Sequence, residues 1–476
     1  MKFFRVSITL IAVFLVAGFL GISVGRFKSL ASTKPQDVSK ENTTAYDEFN
    51  LSRKMVTQYG DTYLATGELL LEDNQPVENL TYSLSQSLGN VFSYIDPTTN
   101  PNSLDETVYG QVQMYTSGFY KQNKTEDYAG ADAVLTARSD YQSRLFELLD
   151  GTAGQAVLLN YQTGDILASI SQSKTYSLYD CVNQENYTFD EGGNVTYTYD
   201  SCNSVTNCLI YPGSTIKPLV ALAILNMEDG TGLLEHTYQC NPGTVILEKE
   251  NQYSMQCYGG VGHSNIALKQ AVSKSCNKFL LDYCYTNNVS KQQVISNMEE
   301  LGLGGTNDHH LTSFFMRTGV YCLDENYSFH MSCIGEADCK VPLLSIATAY
   351  SGIANYGVVA KPRYVKAYME DGEMTELEVE EHRITPEENA IILTDMMRDT
   401  TVNGTGSKLG YLNDSLQLAC KTGSAEYGNG NTHKLCISFS NNPDFPYLLA
   451  VDISQLQGRA LDVSAAMWEF ILLEAN

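Results

Sequence analysis

The sequence predicts a mixed α/β domain in which helices flank an antiparallel sheet, preceded by a small N-terminal β or irregular module and one N-terminal transmembrane helix. Two observations predict the α/β domain. Strand-like apolar runs stand at both ends of residues 131–476, and helical apolar spacing fills the middle. Strands at both ends of one unit imply that its N- and C-terminal strands lie side by side.

The transmembrane helix is predicted from an uncharged, largely apolar run at residues 6–25. Its length is about that needed to cross a bilayer as a helix, and it exceeds the apolar region of a typical signal peptide. A cleaved signal peptide is the alternative, because the residues near Ala31 are small. In either case we expect the rest of the chain outside the cytoplasm. The favoured topology is a single-pass cell-membrane protein with its N-terminus inside and its catalytic domain extracytoplasmic.

Composition suggests where the segments begin and end. We expect a cytoplasmic tip and anchor at residues 1–25, a polar linker at 26–45, the small module at 46–130 and the main domain at 131–476. Only about 100 residues separate the predicted anchor from the main domain, which is too few for a glycosyltransferase domain.

Net charge and cysteines narrow the chemistry. A formal net charge of −25 argues against a nucleic-acid partner, which needs a basic face. The twelve cysteines agree with export, and their spacing suggests staples such as Cys240 with Cys257, and Cys322 with Cys333 or Cys339. Connectivity stays open, and all could be free thiols. Because no C-x-x-C or H-E-x-x-H spacing occurs, we expect no zinc site.

Local patterns predict the elements of the main domain. Apolar runs around a glycine-containing turn predict a hairpin at Ala156–Ile170. A polar, tyrosine-rich stretch at residues 172–210 predicts a surface excursion. Helices are expected at 133–149, 214–228, 266–284, 289–302, 342–355, 386–399 and 461–473, and further strands at 417–421, 433–440 and 447–453.

The first motif is S-x-x-K at Ser214 and Lys217. One helical turn separates the two residues, so the lysine amine can reach the hydroxyl and act as its base if burial lowers the lysine pKa. The motif alone is weak, since Ser171 and Ser275 begin other copies and a plain N-cap serine is a common role. Ser214 differs because it follows Pro-Gly and opens an apolar helix.

The second motif is S-x-N at Ser275 and Asn277, which we place on the helical stretch Ile266–Leu281. The third is K-T-G-S at Lys421, Thr422, Gly423 and Ser424, expected on a strand that borders a cleft. There the lysine supplies positive potential, the hydroxyls meet a carboxylate, and the glycine admits close approach. Either motif alone could be ordinary polar surface or a turn. The three together, in this order, are the signature of serine penicillin-recognising enzymes.

On these residues the chain resembles the class B-like penicillin-binding proteins of Firmicute type, strongly over about 130–476. Further likeness lies in Tyr238–Cys240, Cys257 and Gly262-His263, a cysteine-bracketed hairpin, and in Gly335 and Gly404-Thr-Gly406. The resemblance implies the penicillin-binding transpeptidase fold. Two departures leave the cleft shape open: the second glycine after Gly335 is absent, and His263 is followed by serine instead of glycine.

The implied reaction is D,D-transpeptidation of peptidoglycan stem peptides through a Ser214 acyl-enzyme, with β-lactams as inhibitors. Catalytic roles would fall to Ser214, Lys217 and Ser275. Substrate binding would fall to Asn277, Lys421, Thr422, Gly423 and Ser424, with the backbone amides of Ser214 and Ser424 as the oxyanion hole. Neither a metal nor an organic cofactor is expected. A membrane glycan polymerase is a candidate partner.

Other functions share these motifs. A D,D-carboxypeptidase differs only in using water as acceptor, and a serine β-lactamase or β-lactam sensor carries the same three motifs. A non-catalytic scaffold of a division or elongation complex is disfavoured because the polar positions are intact.

Overall fold

The structure is a computed structural model, and all the residues it describes belong to one compact unit, Ser52–Asn476. It describes residues 54–56, 63–65, 132–149, 154–172, 187–189, 195–197, 204–207, 209–248, 253–305, 310–311, 319–325, 328–370, 373–427, 431–454 and 459–474. The apolar run 6–25, the linker 26–45, most of the module 46–130 and most of the excursion 172–210 lie outside these residues, so the domain boundaries stay predictions. In the described part, no helix combines the length and apolar character needed to cross a membrane.

The described strands are, in chain order, β1 (Lys54–Val56), β2 (Tyr63–Ala65), β3 (Asp132–Leu135), β4 (Gly154–Asn160), β5 (Ile166–Gln172), β6 (Tyr187–Phe189), β7 (Val195–Tyr197), β8 (Thr237–Cys240), β9 (Val245–Glu248), β10 (Tyr253–Met255), β11 (Ser264–Ala267), β12 (Val358–Ala360), β13 (Val365–Glu370), β14 (Glu373–Glu376), β15 (Glu381–Arg383), β16 (Ala419–Tyr427), β17 (Asn431–Phe439) and β18 (Tyr447–Ser454).

The described α-helices are α1 (Ser139–Leu149), α2 (Ser204–Asn207), α3 (Lys217–Leu225), α4 (Gly232–Glu235), α5 (Leu268–Ser273), α6 (Phe279–Thr286), α7 (Lys291–Glu300), α8 (Phe329–Ser332), α9 (Leu343–Ala354), α10 (Glu387–Asn403), α11 (Asn413–Leu416) and α12 (Arg459–Glu474). Short 3-10 helices lie at Gly213–Ile216, Tyr258–Gly260 and Ser407–Leu412.

The central sheet is antiparallel and has the strand order β16-β17-β18-β4-β5. Its middle pair joins the C-terminal β18 to the N-terminal β4, with Ala450 opposite Val157. This confirms the predicted mixed fold, the Ala156–Ile170 hairpin and the side-by-side terminal strands. Because β16 is an edge strand, one of its sides is free to border a cleft.

Helices cover both faces of this sheet. Side chains alternate along a strand, so Val157 and Leu159 pack into the core formed with α3 and α9, whereas Ala156 and Leu158 pack into a second core formed with α1 and α12. Burial on both faces explains why β4 is a continuous apolar run. Helix α3 is buried on every side, as its apolar sequence requires.

A second sheet has the order β14-β13-β3-β1-β2. It includes two short strands from the predicted N-terminal module, of which β1 runs parallel to β3. The expected helix over 133–149 is partly wrong, because its first residues belong to strand β3 of this sheet. Leu135 pairs with Val365 of β13, so the first residues form a strand, and the helix begins only at Ser139.

The helix expected over 266–284 is also wrong in its middle. The segment is strand β11, helix α5, a linker and helix α6. Ser275 in the linker has a φ of 57°, a left-handed backbone conformation that ends an α-helix. The S-x-N motif therefore lies between two helices and not on one.

The suggested cysteine staples are not formed. The nine described cysteines, which include Cys240, Cys257, Cys322, Cys333 and Cys339, are free thiols. Cys181, Cys202 and Cys208 lie outside the described residues.

Candidate active site

The S-x-x-K motif lies at the start of α3, in a turn held from several sides. Ser214 belongs to the 3-10 helix Gly213–Ile216, and Lys217 is the first residue of α3. Residues three apart lie directly above one another in a 3-10 helix, so the two side chains share a face. The Lys217 Nζ lies 2.9 Å from the Ser214 Oγ, and Ser214 is half-buried whereas Lys217 is buried.

Backbone contacts fix this turn. The Gly213 N–H donates to the Gly335 carbonyl at 2.9 Å, and the Tyr350 hydroxyl donates to the Thr215 carbonyl at 2.5 Å. Gly335 has a φ of 80°, and a Cβ there would lie 2.1 Å from the Gly213 carbonyl oxygen. Only glycine therefore fits this position without displacing the turn that carries Ser214.

The missing second glycine after Gly335 is replaced by Ala337, which has a φ of 55°. Alanine therefore adopts here the left-handed conformation that glycine adopts more readily.

The S-x-N linker meets the first motif through Lys217. The Lys217 Nζ donates to the Ser275 carbonyl at 3.0 Å and to the Asn277 Oδ1 at 2.5 Å, and it lies 3.4 Å from the Ser275 Oγ. The Asn277 Nδ2 in turn donates to the Gln256 carbonyl at 2.9 Å. One amine thus connects both motifs.

The K-T-G-S motif lies on edge strand β16, as predicted for a strand that borders a cleft. The Lys421 Nζ lies 3.0 Å from the Ser275 Oγ and donates to the Thr422 carbonyl at 2.8 Å. A Cβ on Gly423 would lie 2.8 Å from the Pro212 carbonyl oxygen and 2.8 Å from the Thr215 Cγ2. Glycine therefore lets β16 press against the turn that carries Ser214.

Two buried lysine amines consequently share the Ser275 hydroxyl. Burial lowers the pKa of Lys217 from 10.5 to about 8, against an opposing effect of the nearby Cys276, Cys257 and Glu336 charges. Burial, and then the charge of Lys217, hold the pKa of Lys421 well below 10.5. Like charges this close disfavour double protonation, so the neutral form of one amine, which can accept a proton, becomes accessible near neutral pH.

All eight predicted site residues thus surround one region. A cleft of about 890 Å³ is lined by Ser214, Ser275, Asn277, Thr422, Gly423 and Ser424, among others. Lys217 and Lys421 lie beneath it and contact the residues that line it. Of the two other serines that begin an S-x-x-K, Ser275 belongs to this site and Ser171 lies in strand β5.

Two neighbours of the site were not predicted. The Lys434 Nζ donates to the Ser424 Oγ at 2.9 Å, and the Thr405 and Thr422 hydroxyls are 2.6 Å apart. Strand register gives the signal for Lys434, which lies opposite Ser424 on β17. The sequence signal for Thr405 is its place in the Gly404-Thr-Gly406 stretch. The structure shows why glycine is needed there, because a Cβ on Gly404 would lie 2.3 Å from the Ser273 carbonyl oxygen.

Residues 154–471 match the family of the penicillin binding protein transpeptidase domain. The chain belongs to this family. It is therefore a serine acyltransferase of the penicillin-binding type.

Individual relatives are distant. Penicillin-binding protein 1A of Aquifex aeolicus (strain VF5) is 23% identical over 282 residues, which cover 59% of this chain and only 32% of that relative. The chain thus spans about a third of the curated relative it matches.

Solved structures share the fold over nearly their whole length. The D,D-transpeptidase domain of a peptidoglycan glycosyltransferase from Eggerthella lenta has a TM-score of 0.66 and 19% identity, covering 90% of this chain and 99% of that one. Penicillin-binding protein A from M. tuberculosis, in an imipenem acyl-enzyme complex, has a TM-score of 0.62 and 20% identity, covering 90% and 99%. At these identities the likeness shows the fold alone.

We predict that Gly335→Ala slows acylation by a labelled penicillin by on the order of 10²-fold, because its Cβ must displace the turn that carries Ser214. Gly305→Ala is the matched control. Gly305 has a similar φ of 85°, but the nearest atom to its Cβ would be 3.8 Å away. It should lower the free energy of unfolding by about 1–2 kcal/mol and leave acylation unchanged. Equal acylation rates in the two variants would contradict the positioning role of Gly335.

Proposed function

We propose that the chain is a class B-like, membrane-anchored D,D-transpeptidase that cross-links peptidoglycan stem peptides ending in D-Ala-D-Ala. The observation that carries the proposal is the chain of contacts from the Ser214 Oγ through the Lys217 Nζ and the Ser275 Oγ to the Lys421 Nζ. It joins a nucleophile, a base and a second proton carrier in one continuous line of contacts. Family membership supports acyl transfer as the reaction class.

Acylation follows from this line. The Ser214 hydroxyl attacks the carbonyl of the penultimate D-Ala, and its proton passes to the Lys217 amine. The backbone amides of Ser214 and Ser424 stabilise the oxyanion. When the peptide C–N bond breaks, the leaving D-Ala amine receives a proton through the Ser275 hydroxyl. An amine of a second stem peptide then attacks the acyl-enzyme and restores Ser214.

Substrate recognition is assigned to the other motif residues. The terminal carboxylate binds at the Thr422 and Ser424 hydroxyls, where Lys421 and Lys434 add positive potential. Asn277 aligns the donor peptide with its amide, which the Gln256 carbonyl already orients. Gly423 lets the substrate backbone approach β16. β-Lactams acylate Ser214 because they mimic the same peptide end.

Localisation is part of the proposal. The apolar run 6–25 anchors the chain in the cell membrane, and the transpeptidase domain lies on the outer side, where stem peptides are. A membrane glycan polymerase is the proposed partner, because cross-linking needs newly made strands.

We predict a covalent adduct between the wild-type chain and a fluorescent penicillin, and none with Ser214→Ala. Slow release of the label supports a transpeptidase, and rapid turnover would instead identify a β-lactamase. Release of D-Ala from a pentapeptide should rise when an amine acceptor is added. Release that ignores the acceptor identifies a carboxypeptidase. Equal labelling of wild type and Ser214→Ala would refute the assignment of the nucleophile.

The lowered pKa of Lys217 predicts a pH dependence. Only the neutral amine accepts the Ser214 proton, so the second-order acylation rate should rise with pH and reach half its plateau near pH 8. Lys217→Arg keeps a cation that cannot deprotonate in this range, and acylation should fall roughly 10²–10⁴-fold at every pH. Lys274→Arg, an exposed lysine of the same cleft, is the control and should behave as wild type. A flat profile for the wild type would remove Lys217 as the base.

A further inference from the structure

Three thiols and one imidazole meet beside the S-x-N linker. They belong to Cys240, Cys257, Cys276 and His263, and their ligand atoms all lie within 4.8 Å of one another. Cys240 ends β8, Cys257 precedes a 3-10 turn, His263 precedes β11, and Cys276 is the middle residue of S-x-N. We propose that these four residues bind one Zn²⁺ ion in a closed tetrahedral site that braces the S-x-N linker.

The distances between the ligand atoms fit one shared centre. The three Sγ–Sγ separations are 3.8 Å for Cys240 with Cys257, 3.7 Å for Cys257 with Cys276, and 3.6 Å for Cys276 with Cys240. In a tetrahedron, Zn–S bonds of about 2.3 Å give S···S edges of about 3.8 Å. Three nearly equal edges do not fit a disulfide, which joins two sulfurs at about 2.03–2.05 Å and leaves a third apart.

The imidazole supplies the fourth corner. The His263 Nδ1 lies 3.4 Å from the Cys240 Sγ. With a Zn–N bond of about 2.0–2.1 Å, a tetrahedral S···N edge is about 3.6 Å. Thiolate sulfur and imidazole nitrogen are the donors that zinc prefers, and four protein ligands leave no open position. The site is thus of the structural kind.

The backbone holds the four ligands in place. The His263 N–H donates to the Cys240 carbonyl at 2.9 Å, and the Cys276 N–H donates to the Ala271 carbonyl at 2.8 Å. A Cβ on Gly262 would lie 2.6 Å from the Cys240 carbonyl oxygen, so the close approach of the two segments needs glycine there. Three thiols lose their protons on binding, and the Zn²⁺ site then carries a net charge of about −1.

A buried lysine joins two of the segments that carry the ligands. Lys278 is 1% exposed, and its Nζ donates to the carbonyls of Asn241 at 2.8 Å and Gly243 at 2.6 Å. These carbonyls follow Cys240, and Lys278 itself lies two residues after Cys276. Its side chain therefore connects the segment after Cys240 to the segment after Cys276.

The ion would position the cleft residues on either side of Cys276. Ser275 and Asn277 flank it, and both contact the Lys217 amine. Ser275 has a left-handed backbone, a conformation that is unfavourable outside glycine and must be held by its surroundings. Cys257 follows Gln256, whose carbonyl accepts from Asn277. A metal bond to Cys276 and Cys257 fixes both ends of that contact.

Metal content is the first test, and it needs no activity. The full chain is produced with added Zn²⁺, purified in detergent under reducing conditions without chelator, and analysed by elemental mass spectrometry. We expect about one Zn²⁺ per chain in the wild type and in Cys284→Ser, a buried cysteine outside the cluster. Cys276→Ser, Cys240→Ser and His263→Gln should lose most of it.

Cobalt is the second test, and it works on the wild type even where a variant does not fold. After chelation, added Co²⁺ should give thiolate charge-transfer absorption and the intense visible bands of tetrahedral cobalt, and Zn²⁺ should abolish them. A wild-type chain with neither zinc nor these bands overturns the proposal. A Cys240–Cys257 disulfide, found by peptide mapping of protein alkylated before purification, also overturns it.

The bracing role has its own readout. Removal of Zn²⁺ from the wild type should slow penicillin acylation by on the order of 10²-fold, and added Zn²⁺ should restore it, because misplaced cleft residues lose catalytic geometry. An acylation rate that does not change on metal removal refutes the bracing role. Because metal content is measured without penicillin, failure of the zinc site and failure of the proposed function are distinguishable.

Discussion

Burial of one lysine amine is the constraint on which the site depends. Lys217 is only 2% exposed, and its Nζ meets the Ser214 hydroxyl, the Ser275 carbonyl and the Asn277 amide oxygen. Removal from water disfavours the charged form and lowers its pKa toward neutrality, which makes a lysine usable as a base. A buried amine without hydrogen-bond partners would destabilise the fold, and these three oxygens supply the partners. Desolvation thus lowers the pKa of Lys217, and the nearby Cys276, Cys257 and Glu336 charges oppose that shift.

The fold meets this constraint by bringing three separate segments against one end of α3. The 3-10 turn supplies Ser214, the α5–α6 linker supplies Ser275 and Asn277, and edge strand β16 supplies Lys421. Two contacts of the 3-10 turn with neighbouring backbone are closer than a side chain larger than glycine would allow. Glycines stand at two of the contacts, Gly335 against Gly213 and Gly423 against Pro212. The geometry of the site is thus set by backbone packing, which determines where the polar side chains lie.

Apolar periodicity predicted the sheet and most helices, and short motifs selected eight residues that the fold brings together, because both are local signals; the roles of those residues stay predictions. Errors arose where a distant partner decides the local structure. Residues 132–135 form a strand because β13 pairs with them. Ser275 lies outside the helix, where its hydroxyl contacts the Lys217 and Lys421 amines. Lys434 was missed because only the register of β16 with β17 places it beside Ser424. Propensity within a window contains none of this information.

The cysteine cluster shows the same limit in metal chemistry. Short spacings such as C-x-x-C reveal a site only when neighbouring residues supply the ligands, whereas here no two ligands are closer in sequence than Cys257 and His263. The strand register of β8 with β11 and the turn after α5 bring them together. Cys276 is also the middle residue of S-x-N, and its thiol contacts the thiols of Cys257 and Cys240. The S-x-N motif therefore makes two sets of contacts: Ser275 and Asn277 contact the Lys217 amine, and Cys276 belongs to the proposed metal site. In the proposed metal site, the geometry of Ser275 and Asn277 depends on Cys240, Cys257 and His263, which take no part in acyl transfer.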